Sequence, residues 1–192
     1  MTSKLKTDIL ETVSGSGTIA LTNQLSGMTS ASLPVGNVLD ASLVTTNTSS
    51  AFTITTTTYQ DIPDLTITMT PKSSSSQYLV QANIHHYIDN HAANAWSGTD
   101  FRIRKVIGGT DTLVYESFRD DGAAHGYTSA NYVTDATSRS MMVTPIAYLD
   151  THGASSGTVI YYIQAKSMVS GYGIRFGGNY GKSTLYAIEI QR

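Results

Sequence analysis

The sequence lacks cysteine, and only 14% of its residues are charged, with a formal net charge of −2. The absence of cysteine excludes disulfide bonds, Cys-ligated zinc and thiol nucleophiles. We expect no nucleic-acid partner, because proteins that bind nucleic acids are rich in Lys and Arg, whereas this chain has 14 acidic and only 12 basic residues. Apolar runs extend over only a few residues, whereas a membrane-spanning helix needs about 20. With no apolar signal-peptide core at the N-terminus, we also expect no membrane partner.

The residues that are abundant favour β-structure. Ser and Thr account for 50 of the 192 residues, and 12 residues are Tyr. Thr, Tyr, Val and Ile suit a half-buried pleated surface, whereas the solvent faces of helices are usually rich in Glu, Lys, Arg and Gln. A chain of this length is typical of one domain and buries its own core without a disulfide or a structural metal. The composition therefore predicts an all-β protein.

Residues 1–42 differ from the rest of the chain. Their apolar residues are dispersed, and Gly15, Gly17, Gly27 and Gly36 interrupt every run, so no strand or helix period persists. A disordered linker is one interpretation. The segment nevertheless keeps more large apolar residues than a soluble linker usually does, and we predict an extended arm that orders against a partner. The apolar residues assigned to anchoring are Leu5, Ile9, Leu10, Val13, Ile19, Leu21 and Leu25.

Residues 43–192 have the pattern of short β-strands bounded by Gly, Pro, Asn, Asp or Ser. From Val80 to Ile88, even-numbered positions carry apolar side chains and His86, while odd-numbered positions carry Gln, Asn, His and Tyr. The segments on either side of Gly108-Gly109 predict a hairpin. About eight such strands, without a helix-length periodic segment, predict an antiparallel two-sheet sandwich of the jelly-roll type.

Two strands are apolar on both faces, Val159–Ala165 and Leu185–Ile190, in which only Glu189 is charged. A strand of an antiparallel sandwich usually offers one face to water, so these two need an additional cover. A loop of the same chain is one candidate cover, and a second copy of the chain is the other. We predict the second copy, because large aromatic side chains are enriched in interfaces. The predicted contact residues are Tyr161, Tyr162, Ile163, Tyr186 and Ile188.

Two loops are candidate recognition surfaces, since long loops on rigid β-scaffolds often carry binding residues. One contains Trp96, and the other, predicted to extend from about Arg119 to Ser138, contains Tyr127 and Tyr132. An exposed Trp suits stacking on a sugar ring. The alternative is that Trp96 plugs the end of the sandwich, which is the commoner outcome for a lone Trp.

Motifs for catalysis or cofactor binding are missing, so we expect no enzyme activity, no cofactor and no metal. The sequence contains no GxSxG, HExxH, GxxxxGKS or helix-opening GxGxxG. His85 and His86 are adjacent on a strand and point to opposite faces, which prevents them from sharing one ion easily with His91 or Asp89. The acidic loop that includes Asp120, Asp121, His125 and Asp135 has the composition of a calcium or glycosidase site, but a solvated loop is the simpler interpretation.

Three segments carry a resemblance to a known family. They are TTTTYQDIPDLTITMTPKSSSSQYLV, AYLDTHGASSGTVIYYIQA and GGNYGKSTLYAIEIQR. In their order they resemble the trimeric tumour-necrosis-factor-like jelly rolls of tailed-phage virion proteins, both tail-fibre tips and capsid cement proteins. The opening segment KTDILETVSGSGTIALTNQLSGM is also similar to N-terminal segments of such proteins. In that family the first, third, sixth and last strands form an inner sheet around a threefold axis, which implies a homotrimer whose inner sheet contains the two doubly apolar strands.

The resemblance implies a structural role in a virion. The first hypothesis is a capsid cement or decoration protein, assembled in the host cytoplasm, whose trimeric head sits on the capsid surface. Its arm would then clamp neighbouring subunits of the major capsid protein. The alternative is a tail-fibre or receptor-binding module that attaches to a tail protein and recognises a host surface glycan.

Overall fold

The computed structural model describes residues 35–46, 51–89, 95–116, 129–133, 140–154, 156–178 and 181–192. Within these ranges the chain forms eleven β-strands and no α-helix. The strands are β1 (Val38–Thr45), β2 (Phe52–Ile54), β3 (Gln60–Met69), β4 (Gln77–Asp89), β5 (Ala95–Ile107), β6 (Thr110–Glu116), β7 (Ser129–Val133), β8 (Ser140–Asp150), β9 (Val159–Ser167), β10 (Gly173–Phe176) and β11 (Thr184–Ile190).

Two antiparallel sheets pack against each other as a sandwich, which confirms the predicted fold class. Sheet A has the order β1-β11-β4-β8, with β10 pairing the far half of β4 and β2 pairing β10. Sheet B has the order β3-β9-β5-β6, and β7 pairs the beginning of β5. When the short strands β2, β7 and β10 are set aside, the first, third, sixth and last strands share sheet A. The sequence analysis expected both doubly apolar strands in this sheet, whereas only β11 lies in it and β9 belongs to sheet B.

The core lies between the sheets and uses one face of each strand. On β4, Val80, Ala82, Ile84, His86 and Ile88 are buried, as the alternation predicted. Aromatic rings join the two sheets: the ring centroids of Tyr78 and Tyr161 lie 5.7 Å apart, and those of His86 and Phe101 lie 5.2 Å apart. Burial of these side chains is the main source of stability in a sandwich without disulfides.

Both prolines inside strands lie on sheet edges, where a missing N–H leaves no ladder bond unmade. Pro145 lies on β8, which pairs only with β4, and Pro63 lies on β3 at the opposite sheet's edge. Around Pro63 the pairing of β3 with β9 shows a register shift between Asp61 and Thr66, with Asp64 at a φ of 64°, so β3 continues through an irregularity.

The sandwich begins earlier than the residue 42/43 boundary in the sequence interpretation. β1 starts at Val38 and pairs with β11 from Ile190 to Thr184. Just before β1, the N–H of Gly36 donates to the carbonyl of Gln191 over 2.8 Å, and the N–H of Gln191 donates to the carbonyl of Asn37. Residues 36–42 are thus held by the last strand.

Candidate interaction surface

The outer face of sheet A is the surface that faces away from the core on β1, β4, β8 and β11. The register defines its central row, which runs from Leu43 through Tyr186 and Gln81 to Ala147. Partners in an antiparallel pair point to the same side of a sheet, so each row across the strands continues this face. The residues of this face are Val38, Ala41, Leu43, Thr45, Gln77, Leu79, Gln81, Asn83, His85, Tyr87, Met141, Val143, Pro145, Ala147, Leu149, Thr184, Tyr186, Ile188 and Ile190.

Large apolar side chains are exposed along both edges of this outer face. Met141 is 64% exposed, Val143 53% and Leu149 49%, all on β8, while Val38 and Leu43 on β1 are 62% and 56% exposed. Between the edges, Leu79 and Ile188 are half-buried. Several large exposed apolar side chains on one sheet face favour an interaction site.

The outer face of sheet A carries no Asp, Glu, Lys or Arg on these four strands, from Gln77 to Tyr87 in the case of β4. At the far end, where β4 pairs with β10, two charged residues are in register: Asp89 opposite Gly173, and Arg175 opposite Tyr87. The polar side chains of the outer face of sheet A are Gln and Asn amides, Thr hydroxyls, Tyr hydroxyls and the His85 imidazole. Burial of this face against another surface therefore requires no desolvation of a permanent charge.

The outer face of sheet B is different, because charged side chains cross it in pairs. Arg104 and Asp111 approach to 2.6 Å, and their hydrogen bond raises the pKa of Arg104 and lowers that of Asp111. Lys166 lies 3.5 Å from the Asp100 carboxylate and 4.6 Å from the ring centroid of Tyr59. These charges have partners within the chain, and Asp100 is fully buried, so the outer face of sheet B is charged rather than apolar.

The five residues predicted as contacts between copies are divided among three environments. Tyr161 and Ile163 are fully buried in the core, so the prediction that they contact another copy is corrected. Tyr162 lies on the outer side of β9, in sheet B. Tyr186 and Ile188 lie on the outer face of sheet A. The sequence interpretation grouped β9 with β11 in one sheet because both are apolar, whereas β9 lies between β3 and β5.

The sequence interpretation missed the contribution of β8 to this apolar surface. A signal was present, because every second residue from Met141 to Leu149 is apolar: Met141, Val143, Pro145, Ala147 and Leu149. Since Ile146 on the other side of the strand is also apolar, the segment has two apolar faces, as β9 and β11 do. β8 is the edge strand whose outer side remains exposed.

A shallow depression lies at the centre of the outer face of sheet A, between β4, β8 and β11. Its volume is about 290 Å³, and Gln81, Asn83, Pro145, Ala147 and Tyr186 contribute to its lining. The Tyr186 hydroxyl lies 3.4 Å from Asn83 Nδ2 and 3.3 Å from Thr184 Oγ1. A small polar cluster thus interrupts the apolar surface at its middle.

His85 is fixed at the border of this cluster by the segment before β11. The His85 N–H donates to Ser183 Oγ over 3.0 Å. A Cβ atom placed on Gly181 would lie 2.7 Å from His85 Nδ1, and Gly181 has a φ of +96°. Only glycine suits both the backbone conformation and the close approach of the imidazole ring.

The start of β1 and the aromatic candidates lie at opposite ends of the sandwich. β4 begins beside the start of β1, since Gln77 pairs with Ile190 and Ile190 with Val38, and it ends at Asp89 just before β5 begins. The backbone register pairs Trp96 of β5 with Tyr132 of β7. Both residues thus lie on paired strands rather than in loops. A strand of 13 residues such as β5 spans roughly 40 Å, which is the approximate separation of the two ends.

Several predicted site residues lie outside the described residues. They include all seven anchoring residues of the arm, Leu5, Ile9, Leu10, Val13, Ile19, Leu21 and Leu25, and the loop residue Tyr127. His91, Asp120, Asp121, His125 and Asp135, which were considered for metal binding or hydrolysis, also lie outside them. Within the described ranges, no three His, Asp or Glu residues are grouped closely enough to hold a metal ion.

One buried polar cluster contains residue types used in catalysis, but its geometry is structural. The Ala154 N–H donates to His152 Nδ1 over 2.9 Å, so the proton on Nε2 is directed to Ser76 Oγ, 3.2 Å away. Ser76 Oγ in turn donates to Glu189. Ser76, His152 and Glu189 are at most 2% exposed. A substrate has no access to these groups, and the cluster links the β3–β4 loop to β11.

The chain matches no protein-family model and no curated protein. No helix among the described residues is long and apolar enough to cross a membrane.

Proposed function

We propose that this protein is a structural component of a phage virion, a capsid cement protein whose heads form a homotrimer through the outer face of sheet A. One observation carries the assembly part of the proposal: this outer face is apolar and uncharged, whereas the outer face of sheet B carries paired charges. Removal of the apolar side chains from water favours association, at about 25 cal/mol for each Å² buried. The cement role is supported by the resemblance of the sequence.

A trimer is the stoichiometry that the resemblance implies for this strand arrangement. The four strands of the inner sheet in that family correspond to β1, β4, β8 and β11, which together form the apolar outer face of sheet A. In a closed ring each copy presents two parts of one surface to its two neighbours. The two exposed edges, Leu43 on β1 and Val143 on β8, are suited to meet in such a ring.

The arm supplies the attachment to the major capsid protein in this proposal. All copies of a ring release their arms from the same end of the head, because each β1 begins at the same end of sheet A. Three weak arms on one rigid head bind with a much higher avidity than a single arm. The assembled protein would be located on the capsid surface and would have no enzymatic activity.

A matched pair of variants tests the assembly surface. Val143→Arg places a charge on the outer face of sheet A, and Leu113→Arg places the same charge on sheet B, at similar exposures of 53% and 48%. We expect light scattering to show a homotrimer for the unmodified protein and for Leu113→Arg, and monomers for Val143→Arg. A folded, trimeric Val143→Arg variant would contradict the proposal, as would a monomeric unmodified protein at high concentration.

A truncation tests the arm. Deletion of residues 1–34 preserves the bond between Gly36 and Gln191, whereas deletion of residues 1–42 would also remove half of β1. We expect the protein without residues 1–34 to remain a folded trimer and to lose its binding to capsids that lack the protein. Full occupancy of the capsids by the truncated trimer would eliminate the arm from the mechanism.

The second candidate function is a tail-associated module that binds a host surface glycan. The pairing of Trp96 with Tyr132, at the end opposite to the arm, favours this candidate. Aromatic residues at a distal tip are suited to recognition, because the arm end remains free for attachment to a tail protein. Binding of the isolated protein to host cells, lost in Trp96→Ala and unaffected by truncation of the arm, would support this function over the cement role.

A further inference from the structure

The centre of the outer face of sheet A is polar, although both of its edges carry exposed apolar side chains. Gln81 occupies the middle of the row Leu43, Tyr186, Gln81 and Ala147. The row on one side of Gln81 contains Leu79 and Leu149. On the other side, Val143 is the nearest large apolar residue of β8. A purely apolar surface would associate more strongly, because buried polar groups cost free energy unless they are hydrogen-bonded.

The polar side chains around the depression differ in how far their hydrogen bonds are satisfied within one chain. Asn83 and Thr184 both lie within hydrogen-bonding distance of the Tyr186 hydroxyl. The Gln81 amide makes no hydrogen bond to any side chain or backbone group in the described ranges. Its carbonyl oxygen and its NH₂ group thus retain their full capacity for partners outside the chain.

An amide is suited to a ring of identical copies. Each Gln carries both a donor and an acceptor, so the NH₂ group of one copy can donate to the carbonyl oxygen of the next copy until the ring closes. A lysine or a carboxylate at this position would repel its own copies, and a leucine would allow several packing arrangements of similar energy. Single buried polar residues select the register and stoichiometry of coiled coils in this way.

We propose that Gln81, supported by Asn83 and Tyr186 around the central depression, determines how many copies assemble, while the apolar residues at the edges supply the affinity. This inference rests on the proposed function, since it assigns a role within the same surface. The side-chain cluster would limit the assembly to the one ring in which the amides meet. Other arrangements would bury the Gln81 amide without a partner, which disfavours them.

The test compares Gln81→Leu with Gln77→Leu. Both positions lie on β4 and on the same face, but Gln77 is at the end of the strand and donates to Thr151 over 3.0 Å. Native mass spectrometry of the full chain should show one stoichiometry for the unmodified protein and for Gln77→Leu. For Gln81→Leu we expect the trimer to be accompanied by at least one other stoichiometry, without a loss of total association.

Gln81→Glu provides a second measurement. At neutral pH the assembled state would bring several carboxylates together in an uncharged surface, so we expect monomers, with reassembly when the pH falls below the carboxyl pKa of about 4.3. Gln77→Glu should stay assembled at both pH values. The circular dichroism spectra of the monomers should match that of the unmodified protein.

The outcomes separate the inference from the proposed function. A single trimeric stoichiometry for Gln81→Leu, or a trimer of Gln81→Glu at neutral pH, would overturn the role of Gln81 and leave the trimer proposal intact. A monomeric unmodified protein would instead remove the assembly on which both ideas depend.

Discussion

His86 is a histidine enclosed by aromatic rings in the core. It is fully buried against Phe101 and Phe176, and its Nδ1 lies 3.2 Å from the carbonyl oxygen of Ile84. Burial lowers the pKa of His86 to about 4, because the charged imidazolium loses its hydration. The alternation of β4 already predicted that His86 shares the face of Ile84 and Ile88. The sequence could not predict the pKa, which depends on residues of β5 and β10.

The lowered pKa predicts that the protein loses stability in acid. Above about pH 6.5, His86 is neutral in both the folded and the unfolded chain. As the pH falls from there towards 4, only the unfolded chain binds the proton, so the free energy of unfolding should be about 2 kcal/mol smaller near pH 5 than near pH 7.5. Urea unfolding at one protein concentration measures this difference.

His86→Leu serves as the control for the titration. This variant should retain only the part of the slope that comes from His152, whose pKa burial also lowers. An unchanged pH dependence in His86→Leu would show that the acid sensitivity originates elsewhere.

Glu189 is a buried carboxylate whose hydrogen bonds come from one loop and one neighbouring strand. The N–H groups of Lys72 and Ser73 donate to it over 2.8 and 3.1 Å, and Ser76 and Tyr78 donate their hydroxyl protons. The sequence identified Glu189 as the exception on an apolar strand. Its partners could not be predicted, because they are more than a hundred positions away in the chain.

We predict that Glu189→Ala destabilises the fold by about 3 kcal/mol or more, because several buried donors lose their acceptor at once. Glu189→Gln should cost less, since one oxygen remains. Chemical denaturation measures both values. Asp111→Asn is the matched control at an exposed ion pair, and it should change stability by less than about 1 kcal/mol. Equal effects of Glu189→Ala and Asp111→Asn would contradict the assigned role.

At the level of the strands, the sequence predicted local features such as hairpins better than it predicted which distant strands pair. The hairpin of β5 and β6 around Gly108-Gly109 forms as predicted, because its signal is contained in adjacent residues. β7 instead lies within the long loop predicted between Arg119 and Ser138. The placement of β9 was wrong for a related reason: an apolar strand indicates that it is covered, but its sequence does not say by which sheet.

The turn before β11 provides a test at this level. Gly181→Ala should destabilise the protein by more than Gly157→Ala, although both residues have positive φ angles, 96° and 82°. An added Cβ at Gly181 would collide with the His85 ring, whereas a Cβ at Gly157 would have no atom within 4 Å. Thermal unfolding of the two variants gives the comparison.

The collision itself is tested by combining Gly181→Ala with His85→Ala. We expect the second change to recover part of the lost stability, since it removes the ring and leaves the backbone strain and the contact with the Cβ of residue 85 at 3.1 Å. Strictly additive effects would indicate that the contact has no energetic importance.

For the whole molecule, the separation of charge between the two outer faces is the main feature. The sequence predicted a sandwich with an additional cover, and two of its predicted contact residues, Tyr186 and Ile188, lie on the outer face of sheet A. It could not distinguish this face from the other one. Both faces have apolar strands, and only the pairing of β5 with β9 brings Arg104 and Lys166 onto sheet B.

The uncharged face predicts that assembly is insensitive to salt. Ionic screening weakens contacts between charges, but the proposed interface has none, and salt does not weaken hydrophobic association. Sedimentation at low salt and at about 1 M sodium chloride should give the same stoichiometry and no weaker association. Dissociation at high salt would indicate that the charged outer face of sheet B mediates contact between copies.

The hydrogen bonds that join Gln191 to Gly36 and Asn37 have a practical consequence for protein engineering. They hold the entry into β1 and the exit from β11 side by side, so in the proposed assembly a cargo fused after Arg192 would project towards the capsid and compete with the arm for space. The exposed turn at residues 55–58, close to the opposite end, is then the better insertion point for a displayed epitope. In the proposed trimer this position would present the epitope outwards, with three copies on each head.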